Sequence, residues 1–324
     1  MDRPKMTAGL LVALGGNALQ RAGGTGSWEE ARAQMRATVA VLAEIASEGG
    51  PLVLTHGNGP QIGTLLRQNE LAAREVPSRP MDVLGAETQG QVGYLIQTEL
   101  TPALRQRRVS RSVLTIVSRM EVARSDPAFR RPEKPVGRYY TDDEARRFRK
   151  QLGWSMEYDG ARGGWRRVVP SPRPVRWLEG DAVRHLLDAR LASSWVPVVA
   201  GGGGIPVVRR PDGGYEGVEA VIDKDLAASL VARELDLDTL AIVTDVPGAA
   251  VAFRRPGERW LRDVSLTELE RLAAAGEFSA GSMAPKVEAG IGFLRRGGRR
   301  FVITDIPSLA RALRGEAGTR VTAD

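Results

Sequence analysis

Five lysines, Lys5, Lys134, Lys150, Lys224 and Lys286, stand among 46 basic residues, and all the others are arginines. A chain with this bias keeps lysine where arginine cannot serve. The ammonium is a compact point charge that fits between phosphate oxygens, whereas the guanidinium is a wide planar fork. Three of the lysines have unusual neighbours: Pro132-Glu133-Lys134-Pro135-Val136-Gly137, Ile222-Asp223-Lys224-Asp225 and Gly281-Ser282-Met283-Ala284-Pro285-Lys286. None of these reads as a solvated helix face, and together they point to anion chemistry. Lys5 and Lys150 read as ordinary surface lysines. Each motif also has a plainer structural use. Lys134 could oppose Glu133, Lys224 could pair with its flanking aspartates, and Asp225 could cap a helix beginning at Leu226. Pro285-Lys286 reads as a helix start, where a lysine opposes the helix dipole, so a purely structural role is disfavoured there.

The elements that would position these residues end in glycine. Leu10–Leu14 runs into Gly15-Gly16-Asn17, and Pro51–Thr55 into His56-Gly57-Asn58-Gly59-Pro60. Val196–Ala200 runs into Gly201-Gly202-Gly203-Gly204, and Thr239–Thr244 into Asp245-Val246-Pro247-Gly248. These apolar runs, with Val113–Ser118 and Phe301–Thr304, read as parallel strands buried on both faces. Helical patterns alternate with them: Glu29–Ser47, Met81–Leu100, Asp181–Ala192, Leu226–Leu235, Ser265–Ala275 and Pro285–Arg296. The alternation predicts an α/β fold with helices covering a mostly parallel sheet. In such sheets ligands bind at the carboxyl edge, where glycine lets backbone N–H groups approach an anion. Residues 125–175 break the rhythm with Pro, Gly, Arg and aromatic residues, and read as a small inserted subdomain. Ile205–Val218 and Ala249–Leu261 read as hairpins.

Composition narrows the chemistry. There is no cysteine, which excludes disulfides, thiolate nucleophiles and zinc–cysteine sites. His56 and His185 are the only histidines, too few for a multi-histidine metal centre. The net charge of +7 is dispersed in short basic pairs with acidic residues between them, which reads as solvated surface rather than a nucleic-acid face. Arg3 and Lys5 ahead of Leu10–Leu14 faintly resemble a leader peptide, but a first strand is the better reading. No stretch is long enough to span a bilayer, and a cytoplasmic location is expected. No Gly-Lys dipeptide exists, so there is no Walker A loop, and the protein-kinase signatures and the dinucleotide glycine spacing are missing.

The remaining motifs resemble a known family. Leu14-Gly15-Gly16-Asn17-Ala18-Leu19, His56-Gly57-Asn58-Gly59-Pro60-Gln61, Asp126-Pro127-Ala128-Phe129 through Gly137, Ala200 through Pro206, Val221-Ile222-Asp223-Lys224-Asp225 and Gly281 through Ala289 are together similar to carbamate kinases, within the amino acid kinase superfamily. The match runs in order from about residue 10 to the C-terminus. It implies a three-layer α/β/α sandwich with an open, mostly parallel sheet, a lid over residues 125–175 and a homodimer. The implied reaction is ATP + carbamate ⇌ ADP + carbamoyl phosphate, with Mg²⁺ held mainly by the phosphates and not by a protein metal site.

The resemblance also implies roles. Gly15, Gly16 and Asn17, with His56, Gly57, Asn58 and Gly59, would flank the carbamoyl group and the reacting phosphate. Lys134, from the insertion, and Lys224 and Lys286 would act on the phosphates, and Asp225 would hold the lysines. Gly202, Gly203, Thr244, Asp245, Met283 and Pro285 would line the nucleotide site in the C-terminal half, about 195–324, leaving the N-terminal half to the small substrate. Two departures stand out. Ala249-Ala250 replaces an expected tyrosine, which puts adenine stacking in question, and Ala284 stands where glycine is expected. The rival readings are a sister kinase of the same fold acting on another small carboxylate or a nucleotide, and a catalytically silent anion- or nucleic-acid-binding module. The insertion with Lys134 argues against the first, and retention of all three motif lysines against the second.

Overall fold

The structure is a computed structural model that describes residues 9–16, 19, 26–160, 162–187, 194–279 and 281–324. The first half of the chain runs β1 (Leu10–Leu14), α1 (Trp28–Ser47), β2 (Leu52–His56), α2 (Gly59–Ala72), α3 (Met81–Gln106), β3 (Ser112–Thr115) and β4 (Arg119–Val122). The middle runs β5 (Lys134–Tyr140), α4 (Asp142–Leu152), β6 (Ser155–Asp159), β7 (Gly164–Val169), β8 (Pro174–Trp177), α5 (Gly180–Leu186) and β9 (Trp195–Val198). Then come β10 (Ile205–Arg209), β11 (Tyr215–Gly217), α6 (Lys224–Glu234), β12 (Thr239–Val243), β13 (Ala250–Val251) and β14 (Arg259–Trp260). The chain closes with β15 (Asp263–Ser265), α7 (Leu266–Ala274), α8 (Met283–Leu294), β16 (Arg300–Thr304), α9 (Leu309–Leu313) and β17 (Thr319–Thr322).

The central sheet has the order β15-β17-β16-β12-β1-β2-β9-β3. Its strand pairs are parallel except β16 with β17. Every residue of β2 and of β12 is buried, as expected of mainly apolar parallel strands covered on both faces. Side chains alternate between two cores. Leu11 and Ala13 of β1 join Leu240 and Ile242 of β12 beneath α5, α6, α7 and α8. Val12 and Leu14 join Ala241 and Val243 beneath α1, α3 and α9. The result is the expected three-layer α/β/α sandwich.

Beside it lie a four-stranded sheet, β11-β10-β4-β8, and a three-stranded antiparallel sheet, β5-β7-β6. The latter, with α4, is built from residues of the predicted insertion. A Thr141–Glu144 capping box starts α4, and Gly153, with φ of 65°, ends it. Both predicted hairpins form, as β10–β11 and β13–β14.

Several elements differ from expectation. The run Val113–Ser118 leaves the central sheet after Thr115, because Ser118 is gripped by the buried Gln89 side chain and the chain turns into β4. The helix read as Leu226–Leu235 begins at Lys224, and Asp223, not Asp225, caps it by accepting from the Asp225 N–H at 2.9 Å. The helix α3 passes through Pro102 to Gln106, beyond its expected end at Leu100. The helix read as Asp181–Ala192 is described as Gly180–Leu186, and residues 188–193 lie outside the described residues. Sequence periodicity missed α2 altogether. Its Gly59-Pro60 start reads as a turn, although proline suits the first turn of a helix.

Candidate active site

Carboxyl ends of the central strands converge where the motifs gather. The chain leaves β1 through Gly15, where any side chain would strike the Val243 carbonyl at 2.6 Å, so only glycine lets β1 and β12 end side by side. The Gly57 N–H donates to the Leu14 carbonyl at 2.9 Å, which brings the second glycine loop alongside the first. A side chain on Gly57 would reach both the Lys224 stem and the Gly16 amide, so these three groups are neighbours. Asn17 lies outside the described residues.

A cavity of about 340 Å³ opens there. Gly57, Asn58 and Gly59 form one wall, and Lys224, Asp225, Pro285 and Lys286 another. Lys134 reaches in from β5. The helices α2, α6 and α8 all begin at this cavity, so the positive ends of three helix dipoles face it. Asn58 makes no side-chain bond to the first turn of α2, and no acidic residue sits in that turn. The first amides of α2 are therefore placed for an anion.

Asp225 organises the cations. Its side chain is 4% exposed and lies between Lys224, with which it hydrogen-bonds, and Lys286, whose Nζ is 3.0 Å from Oδ2. Burial alone would raise this carboxyl, but the charges of Lys224 and Lys286 outweigh it and hold it below the usual carboxylate range. Lys134 donates to Asp223 Oδ2 at 2.8 Å, while the other oxygen of Asp223 caps α6. Each lysine of the three motifs is thus tethered by an aspartate at the head of one helix, with room for an anion beside it.

The remaining predicted residues divide. Gly202 lines the cavity, with φ of 68° and the Asn58 amide packed where a side chain would stand. Gly203 is instead packed on the Ile222 carbonyl and serves the turn. His56 does not line the cavity. Its ring is buried beneath Gly201, and its Nδ1 pairs with the Gly57 carbonyl at 2.9 Å. Burial, aided by the charge of Lys224 and opposed by that backbone bond, lowers its pKa to about 4, so the ring is neutral at pH 7 and adds no positive charge.

A second cavity, of about 260 Å³, meets the first at Ser282. Asp245, Ala250, Phe253, Phe278 and Met283 line it, and Thr244 donates to Asp245 at 3.1 Å from just behind. Ala249 is buried with its N–H on Thr319, away from the cavity. The aromatic surface missed at Ala249-Ala250 stands three residues on, at Phe253, braced edge-to-face by Trp260. A phenylalanine following strand β13 was the available signal.

The amino acid kinase family model matches residues 9–305. The chain belongs to the amino acid kinase family. As a member of it, the chain is 44% identical to the carbamate kinase of Pyrococcus horikoshii over 315 residues, covering 97% of this chain and 98% of that relative. It is 40% identical to the carbamate kinase of Clostridium perfringens over 316 residues, covering 96% and 99%. Carbamate kinase from Giardia lamblia bound to AMP-PNP superposes with a TM-score of 0.90 at 38% identity, covering 98% of this chain and 99% of that one.

Sequence reasoning also missed Asp223, taken only as a neighbour of Lys224, and Arg166, which lines the first cavity from β7. Alternation along Trp165-Arg166-Arg167-Val168 could have marked one arginine of that pair as facing the site. No helix is long and apolar enough to cross a membrane, and no group of three or more His, Cys, Asp or Glu side chains is placed to hold a metal ion, both among the described residues.

Proposed function

We propose that this protein is a carbamate kinase, transferring a phosphoryl group reversibly between ATP and carbamate to give ADP and carbamoyl phosphate. The observation that carries the reading is the pair Lys224 and Lys286 on one buried carboxylate, facing the glycine loops across a small cavity. Carbamate arrives as an oxyanion, so no general base is required, in keeping with a neutral His56. The catalytic demand is in-line positioning and neutralisation of charge on the moving group.

In this reading Gly15, Gly16 and Asn17 and the loop from His56 to Gly59 hold the small substrate, with His56 acting as a brace for its loop. Lys224 and Lys286 meet the phosphates, and Asp225 fixes their spacing. Lys134 is delivered by residues 125–175, acting as a lid. The second cavity takes the nucleoside, with Phe253 as the aromatic face toward adenine and Met283, Thr244 and Asp245 around it. Because two adjoining cavities hold cations and only scattered carboxylates, the residues fit Mg²⁺ carried on the nucleotide phosphates, where it supplies further charge neutralisation. The N-terminal half serves the small substrate and the C-terminal half, from about 195, the nucleotide. A cytoplasmic homodimer that binds neither membrane nor nucleic acid completes the proposal.

The test is acceptor choice. With ATP as donor, phosphorylation of glutamate, acetylglutamate, aspartate or UMP should be negligible beside the carbamate reaction. Turnover of any of these above the carbamoyl-phosphate rate would make the chain a sister kinase.

A further inference from the structure

Outside the first cavity, Glu70 gathers three donors. It stands near the end of α2, with its side chain only 9% exposed. It accepts from the Tyr140 hydroxyl, from Arg138 Nε at 3.1 Å and from Arg67 at 3.2 Å. Arg138 also forks onto Glu144 at the head of α4, at 2.6 and 3.0 Å, and lies 4.2 Å over the Tyr140 ring. The end of β5 and the start of α4 are thus fastened together on one carboxylate of α2. Bonds between a guanidinium and a carboxylate are stronger and more specific in geometry than neutral ones.

The backbone is shaped for this contact. Pairing of β5 with β7 changes register between Val136 and Tyr139, and Gly137 takes a φ of 71° inside that break. A break of this kind re-aims the side chains that follow it. Here α2 and β5 cross glycine to glycine: a side chain on Gly63 would stand 4.0 Å from the Gly137 Cα. The hydrogen bonds between these two elements, among the described residues, all end on Glu70. Lys134 is the first residue of the same strand, and its ammonium rests on Asp223 at the head of α6. β5 is therefore held at both ends, by Asp223 and by Glu70. A phosphate in the first cavity would compete with Asp223 for the ammonium. Glu70 would keep its donors, because it lies about 16 Å along α2 from Gly59 and lines a separate cavity of about 560 Å³.

We propose that Glu70 is a positioning residue for the phosphoryl transfer: it docks β5 on α2 and so sets where Lys134 stands relative to the Gly57–Gly59 loop from which the same helix starts. The inference rests on the carbamate kinase reading and assigns to that reaction a residue that does not reach the site itself.

A double-mutant cycle with Lys134 tests it in the full chain, read as steady-state formation of ATP from ADP and carbamoyl phosphate. Glu70→Ala should lower kcat about tenfold, since a small misplacement of a catalytic group is enough for that, with KM for ADP within about twofold. In the Lys134→Ala background the same change should cost less than about twofold, because the group it positions is gone. An equal loss in both backgrounds marks a merely structural residue and overturns the inference. So does a Glu70→Ala enzyme that keeps more than about half of wild-type kcat. Lys134→Ala with wild-type kcat also overturns it, because Glu70 then has nothing to position. Should Glu70→Ala fail to fold, Glu70→Gln carries the same cycle. It keeps an acceptor for Tyr140 and removes the charge that holds Arg138, so its loss should be about threefold and should vanish without Lys134. A wild-type enzyme that forms no ATP overturns the reaction assigned above, whereas an active wild type with an unaffected Glu70→Ala overturns this role alone.

Discussion

Asp225 shows how one buried carboxylate can set the geometry of a cavity wall. Buried between two ammonium groups, it fixes their separation and neutralises one of their charges, leaving a net positive edge on the cavity. Replacing Lys224 or Lys286 by Met should lower kcat by roughly 10² or more, from lost charge neutralisation in the transition state. Lys→Arg should also be poor, since the fork cannot replace a point charge there. A variant keeping more than half of wild-type kcat would remove that lysine from the mechanism. His56 gives a separate, stability-based expectation. Its pKa in the fold is about 4, below an unfolded value of about 6.5. Between these values the unfolded chain binds the extra proton, so stability is full above pH 6.5 and declines as pH falls toward 4. The whole effect is on the order of 3 kcal/mol, from ~1.4 kcal/mol per unit. Urea midpoints measured across pH 4–7 should flatten in His56→Gln, and an unchanged slope would contradict a buried neutral imidazole.

Elements bring these residues together over long sequence distances, which sets how much could be read beforehand. The strand-end glycines and the Pro285-Lys286 helix start were legible, because turn and capping chemistry is local. The sharing of Asp225 by its neighbour Lys224 and by Lys286, 61 residues beyond the aspartate, was not, because it depends on how α6 packs on α8. Nor was the capping role of Asp223, since either aspartate of the motif suits a cap. Helix α2 links the second glycine loop to the insertion. It begins at Gly59, and its Glu70, near the far end, accepts from Tyr140 and from Arg138 Nε at 3.1 Å. Lys134 also sits in the insertion, so movement of that small sheet would withdraw a cation from the cavity. Lys134→Ala should therefore damage kcat more than ADP affinity. Hydrogen exchange over residues 134–169 should slow when ADP and carbamoyl phosphate are both added. Strong protection already present in the free protein would contradict a moving lid.

At the scale of the molecule, the α/β/α layering was readable from strands apolar on both faces, whereas the sheet edge formed by β15 and β17 was not. Those strands are short and carry little pattern: β17 is Thr319–Thr322 and β15 only Asp263–Ser265. The whole fold serves to bring the ends of β1, β2 and β12 and the starts of α2, α6 and α8 to one rim, with the two cavities side by side. That arrangement suits transfer between a nucleotide and an acceptor small enough for two glycine loops. The most direct test is to supply Mg²⁺, ADP and carbamoyl phosphate to the purified full chain and follow ATP. ATP should form rapidly, saturate with carbamoyl phosphate and collapse in the Lys286→Met variant. No ATP from the wild type, or equal rates from wild type and variant, would contradict it.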